Sequence, residues 1–93
     1  MKPRAAFVYL LKCSDGSIYT GWSFDVARRV REHQSGRAAR YTRTHLPVKL
    51  VYHERLRSRT EAMRREVEIK QWKRARKLAL AKSGAKRRTK RDN

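Results

Sequence analysis

The sequence predicts an α/β domain of the α+β type: a three-stranded antiparallel sheet flanked by helices, in the order β-β-α-β-α-α. Three observations carry this expectation. The stretch "FVYLLKCSDGSIYTG", Phe7 to Gly21, places two β-like runs around an Asp-Gly turn. Two later segments carry helix caps followed by helical periodicity. Between them Pro47 opens a third alternating run. The 93 residues make one domain with a small core, because a chain of this size buries only roughly 60–65% of its unfolded surface.

The first strand is expected over Ala5 to Cys13. Phe7, Tyr9, Leu11 and Cys13 lie on one face and Val8 and Leu10 on the other, so both faces are expected to be covered. Ser17 to Trp22 is the return strand. The register between them is open. A two-residue Asp15-Gly16 loop pairs Lys12 with Tyr19 and sends Tyr9 and Tyr19 to opposite faces. A three-residue loop with a left-handed Gly16 pairs Leu11 with Tyr19 and puts both tyrosines on one face.

Ser23 or Asp25 caps a helix that runs to about Ser35 and ends at Gly36. Val26, Ala27 and Val30 form its apolar stripe, with Arg29 and His33 at the edge and Arg28, Arg31 and Glu32 pointing away. Residues 36–46 read as a basic loop too polar to be a buried element. In the third strand Val48, Leu50 and Tyr52 alternate with Lys49, Val51 and His53. The capping box "SRTE", Ser58 to Glu61, starts a helix whose apolar sector is Ala62, Met63, Val67, Ile69 and Trp72. Ala75, Leu78, Ala79 and Leu80 form a further helix or an extension of it, with a kink near Lys73 one way to join them. Residues 1–81 form the domain, and 82–93, rich in Lys and Arg, read as a disordered basic tail.

Charge narrows the function. The net charge is +18, from 26 Lys and Arg against 8 Asp and Glu. Such a field calls for a polyanion, and nucleic acid is the leading partner. No apolar run approaches the ~18 residues of a membrane span, and no signal peptide is recognisable. Cys13 is alone, which leaves neither a disulfide framework nor a Cys-based metal cluster. These features place the protein in the cytoplasm, without a membrane partner.

One carboxylate stands out. Glu61 and Glu68 fall outside the apolar sector of their helix, whereas Glu66 projects within it. An inward carboxylate needs a cation, and helix geometry admits either an arginine, such as Arg29 or Arg65, or a divalent metal. The other candidates have similarly two-sided readings. Tyr9 and Tyr19 fit a strand core as well as a site, His33 a packing role as well as a base, and Arg29 a solvated face as well as a phosphate contact. Arg37, Arg40, Tyr41 and Arg43 of the loop, with Lys86, Arg87 and Arg88 of the tail, suit a nucleic-acid-binding surface.

Taken in order, "FVY", "YTG", "DVARRVREH" and "AMRREVEIK" resemble the GIY-YIG endonuclease superfamily, in particular its small single-domain bacterial members. The likeness runs from about Phe7 to Leu80. "FVY" and "YTG" depart from the name-giving tripeptides but keep the tyrosines and the glycine. The resemblance implies a divalent-metal-dependent DNA endonuclease. It implies that Tyr9 serves as or orients the base, Tyr19 positions water or phosphate, and Arg29 binds the scissile phosphate. It implies a polar site position at His33 and one Mg²⁺ or Mn²⁺ ion on Glu66, with no small-molecule cofactor. An additional C-terminal Asn found in some members has no clear counterpart. The resemblance also favours the three-residue hairpin loop, and a cationic setting that lowers the Tyr9 pKa. The preferred DNA structure and the oligomeric state are not readable from the sequence; structured or damaged DNA and a monomer are the working expectations. Charge alone fits two alternatives: a nucleic-acid-binding protein with weak or no catalysis, and a basic RNA-associated protein.

Overall fold

Strand β1 (Ala6–Lys12) is flanked by β2 (Ile18–Ser23) on one side and β3 (Lys49–Leu56) on the other, both antiparallel to it. This arrangement comes from a computed structural model that describes residues 4–91, with side chains through residue 84. β1 is central because its apolar residues alternate to both faces and both faces are covered. Val8 and Leu10 pack with Ile18, Ala62, Ile69 and Ala81, while Tyr9, Leu11 and Cys13 pack with Val48 and the half-buried Val26 and Val30. Helices α1 (Val26–Gln34) and α2 (Arg40–Arg43) therefore lie on the Tyr9 face. Helices α3 (Arg59–Lys70) and α4 (Arg74–Arg91) lie on the Val8 face.

The hairpin takes the three-residue loop. Leu11 pairs with Tyr19 and Tyr9 with Gly21. Gly16 has φ +87° and Cys13 N–H donates to Ser17 O at 2.9 Å. α4 holds this loop from outside, where Arg74 Nε donates to Gly16 O at 2.7 Å and Lys77 Nζ to Ile18 O at 3.3 Å.

The structure corrects several expectations. Residues 36–46 are not only a loop, since α2 forms there and buries Thr42. The alternation expected along β3 breaks. A bulge between the Leu10 and Leu11 pairings leaves Val51 outside the register. Val48 and Leu50 therefore face the Tyr9 side and Tyr52 the opposite side. On α1, Ala27 is exposed and His33, expected at the edge, is fully buried.

On α3, Met63 and Val67 are 46% and 54% exposed. They lie about 100° and 140° round the wheel from Ala62, whereas Glu66 and Ile69 lie within about 40° of it. The inward face of α3 is thus Ala62, Glu66 and Ile69. Of the two alternatives after α3 the further helix holds, with a break at residues 71–73 and Gln71 as the C-cap of α3. Trp72 sits in that break, and the Arg76 guanidinium stacks over its ring at 3.9 Å. α4 is assigned over Arg74–Arg91, with Ala81 and Gly84 buried and Gly84 against the Tyr52 ring. Residues 92 and 93 and the side chains of Lys86, Arg87 and Arg88 lie outside the described residues.

The two faces of α3 give a clean test. Ile69→Ala is expected to lower the unfolding free energy by about 2–5 kcal/mol, because it opens a cavity under the sheet. Met63→Ser and Val67→Ser are expected to stay within about 0.5 kcal/mol of the parent chain in urea denaturation.

Candidate active site

The site is built on the Tyr9–Gly21 pair. The two residues are opposite each other on one face of the sheet, and the Tyr9 ring lies across the β2 backbone. A Cβ at position 21 would stand 2.5 Å from Tyr9 Oη and 2.6 Å from Cζ. Only glycine leaves room for the ring in this course. Tyr19, two residues earlier on the same face, is the neighbour of Tyr9 across the pair. The spacing Tyr-x-Gly therefore encodes one tyrosine beside another and a gap for the first ring.

α1 delivers the next groups. Asp25 caps it by accepting Arg28 N–H at 3.1 Å, and Val26 and Val30 fix its rotation against the core. Arg29 and His33, one turn apart, then face Tyr9 and Tyr19. Tyr9 Oη and His33 Nε2 are 2.8 Å apart, and the Tyr19 and His33 rings are edge to face at 5.1 Å. Arg29 lies near enough for its charge to act on the Tyr9 phenol, while its Nη1 donates to Glu32 Oε1 at 2.8 Å.

Burial dominates the electrostatics. It pushes the Tyr9 phenol up from 10.0 to about 12, with the hydrogen bond and charge of Arg29 pulling back and the charges of Tyr19 and Glu66 adding to the rise. A cationic neighbour was expected to lower this pKa. Arg29 does act in that direction, but desolvation of a phenol 1% exposed outweighs it. Burial and then Arg29 push His33 down from 6.5 to about 4, so its imidazole is neutral at pH 7. Glu32, hydrogen-bonded first of all to Arg29, is held below the usual carboxylate range.

Glu66 approaches from α3, on the other face of the sheet. It is half-buried, and its recorded ion pair is with Lys70 Nζ at 3.6 Å, not with either arginine expected from helix geometry. Arg29 is taken by Glu32, and Arg65 by Glu54 at 2.8 Å and Glu68 at 2.9 Å. Among the described residues no group of three His, Cys, Asp or Glu side chains could hold a metal. A single inward carboxylate with only one long ion pair does suit Mg²⁺, which keeps several waters and takes one or two protein carboxylates. The donor set present thus fits one ion on Glu66.

Of the loop residues, Tyr41 joins the cluster and the arginines do not. The Tyr41 ring stacks on Tyr19 at 6.3 Å and on His45 at 4.3 Å, and its hydroxyl donates to Ser17 Oγ at 2.5 Å. Arg37, Arg40 and Arg43 are exposed around it. The sequence reading missed Thr42, whose Oγ1 is 2.8 Å from His33 Nδ1, and Glu32, which it turned to solvent. A signal for Thr42 was present only as its place in "YTR", since no local periodicity says that this residue turns inward.

A small α+β domain with two tyrosines, an arginine and a histidine gathered on one sheet face defines a class that relatives make specific. The family model for the GIY-YIG catalytic domain matches residues 5–79, and the chain belongs to this nuclease-type family. It is 51% identical over 76 residues to a UPF0213 protein of Staphylococcus aureus strain Mu3, covering 82% of this chain and 93% of that one. The solution structure of a UPF0213 protein of Bacillus halodurans is similar with TM-score 0.53 and 45% identity, covering 84% of this chain and 83% of that one. The solution structure of an E. faecalis protein is similar with TM-score 0.58 and 35% identity, covering 89% and 90%. Among the described residues no helix is long and apolar enough to cross a membrane.

The depressed His33 pKa has a consequence for stability. The unfolded imidazole takes a proton below about 6.5 and the folded one only near 4, so stability falls as pH drops through that window. Urea denaturation at pH 7.5 and pH 4.5 is expected to show the parent chain losing roughly 2–3 kcal/mol more than His33→Gln.

Proposed function

We propose that the chain is a divalent-metal-dependent endonuclease that hydrolyses DNA phosphodiester bonds, with branched, nicked or damaged DNA as its substrate class. The observation that supports this most is the buried hydrogen bond between Tyr9 Oη and His33 Nε2, with Arg29 beside it and the Glu66 charge felt at the same phenol.

In this reading Arg29 receives the scissile phosphate. Its planar fork matches phosphate oxygens, and phosphate displaces Glu32 from it. The attacking water gives its proton to Tyr9 Oη as its oxygen bonds to phosphorus. Tyr9 passes its own proton to His33 Nε2, and the bond from phosphorus to the leaving sugar oxygen breaks, with that oxygen taking a proton from solvent. The relay avoids a free phenolate, which a phenol with pKa about 12 would form at neutral pH only rarely. Negative charge building on the phosphate in the transition state raises the imidazole pKa and favours the transfer. Tyr19 orients water or phosphate beside Tyr9. A Mg²⁺ or Mn²⁺ ion held by Glu66 would supply charge neutralisation at the phosphate. Lys70, paired with Glu66 at 3.6 Å, would give way to the ion. The protein acts as a monomer in the bacterial cytoplasm.

A second reading is a nucleic-acid-binding protein with weak or no catalysis. One observation favours it: Tyr9 is 1% exposed, so water reaches the phenol only after Arg29 or its neighbours shift.

Metal-dependent cleavage of plasmid, nicked, branched and single-stranded DNA separates the two. Tyr9→Phe and Glu66→Gln are each expected to lower the rate by about 10²-fold or more while binding persists. Full activity in either variant, or no product from the parent chain on any substrate, removes the nuclease assignment.

Affinity is expected to come mostly from charge. Truncation after Gly84 removes Lys86, Arg87, Arg88, Lys90 and Arg91 but keeps the buried part of α4. It is expected to weaken DNA binding and flatten the dependence of log K on log salt, as read by fluorescence anisotropy over a salt series. A cleavage rate at saturating DNA equal to that of the full chain would locate these residues outside the chemistry.

A further inference from the structure

Thr42 is fully buried, on a helix of only four residues, and its hydroxyl touches two groups. Oγ1 lies 3.1 Å from Ala39 O, to which it donates, and 2.8 Å from His33 Nδ1. A hydroxyl has one proton. With that proton on Ala39 O, the oxygen can only accept from His33, so Nδ1 carries hydrogen. Nε2 is then a bare lone pair, and the bond at 2.8 Å to Tyr9 Oη has the phenol as donor.

The other end of the chain of bonds is consistent with the same direction. Arg29, whose charge acts on the phenol, has donors and no acceptor, so it cannot take the Tyr9 proton. The phenol's own proton then points to its remaining partner, His33 Nε2. Both ends give one ordered series: Tyr9 O–H to His33 Nε2, His33 Nδ1–H to Thr42 Oγ1, Thr42 O–H to Ala39 O.

We propose that Thr42 is a positioning residue that holds His33 in its Nδ1–H tautomer, and thereby makes Nε2 the acceptor of the Tyr9 proton. The proposal rests on the nuclease reading for its catalytic meaning, and on the hydrogen bonds alone for the tautomer. The opposite tautomer would put hydrogen on Nε2, turn His33 into a donor toward Tyr9 and leave the phenol with no acceptor for its proton. The backbone makes the arrangement stiff. Ala39 O also accepts Arg43 N–H at 3.0 Å, which closes the single turn of α2 and fixes the carbonyl that orients Thr42. A residue inside this turn therefore also sets a proton on a ring nine residues earlier.

The test reads tautomer and chemistry separately. Long-range ¹⁵N–¹H NMR of His33 at pH 7 is expected to show Nδ1 protonated and Nε2 unprotonated in the parent chain and in Thr42→Ser, which keeps the hydroxyl. Thr42→Val, close in shape but without it, is expected to lose that signature and to lower kcat by roughly 10²-fold or more with little change in KM, as a wrong tautomer does elsewhere. Nε2 protonated in the parent chain overturns the proposal, and this measurement stands even where the valine variant fails to fold. So does a Thr42→Val chain that melts earlier yet keeps the parent ¹⁵N pattern, because that is a packing role only. A parent chain that cuts no DNA sinks the nuclease reading instead, and the tautomer signals still decide what Thr42 does.

Discussion

The passage of the Tyr9 ring over Gly21 is the constraint from which the site follows. It requires the hairpin to be in one register, since a slip of one residue would turn either Tyr9 or the gap at position 21 to the other face. The register in turn depends on the left-handed Gly16, and α4 reinforces it through Arg74 on Gly16 O. With the ring so placed, its hydroxyl lies within reach of α1, where His33 bonds to it and the charge of Arg29 acts on it. A short helix then closes over the histidine. Each layer fixes a polar atom of the next, which is how a core this small can bury a phenol, an imidazole and a hydroxyl together.

Desolvation governs the chemistry of this cluster more than charge does. The net charge of +18 would suggest that every acid near the site is more easily ionised. Tyr9 moves the opposite way because removing a phenolate from water outweighs one guanidinium. The same effect keeps His33 neutral, and a neutral imidazole is what can accept a proton. The cations that do matter locally are matched one by one: Arg29 with Glu32, Arg65 with Glu54 and Glu68, Lys70 with Glu66. Among the described residues most of the other Lys and Arg side chains are exposed, where they suit a polyanion.

Much of this was legible in the sequence because the relevant signals are local. The strand pair, the caps at Asp25 and Ser58 and the break before α4 each follow from a few adjacent residues. Tyr9, Tyr19, Arg29, His33 and Glu66 stood out through their order and their match to a family pattern. What escaped depends on contacts distant in the chain. The bulge opposite Leu10 and Leu11 reverses the faces of Leu50 and Tyr52, and no residue in β3 announces it. Thr42 turns inward because His33 waits for it. Met63 and Val67 look like core by composition, yet their angular position on α3 carries them out to solvent. Gly84 is buried against the Tyr52 ring, a contact that a reading of Lys and Arg content alone does not register.

The groups gathered here come from β1, β2, α1 and α3, and their positions along the chain run from 9 to 66. α3 lies on the face away from Tyr9, so its carboxylate joins the others only when both layers have closed on the sheet. A polypeptide still emerging from the ribosome holds its tyrosines and arginine long before it holds that acid. Under the proposed activity, a half-made chain beside messenger RNA would carry strong affinity for nucleic acid without the means to sever it. Competence to cut would arrive late in synthesis, together with the last two helices.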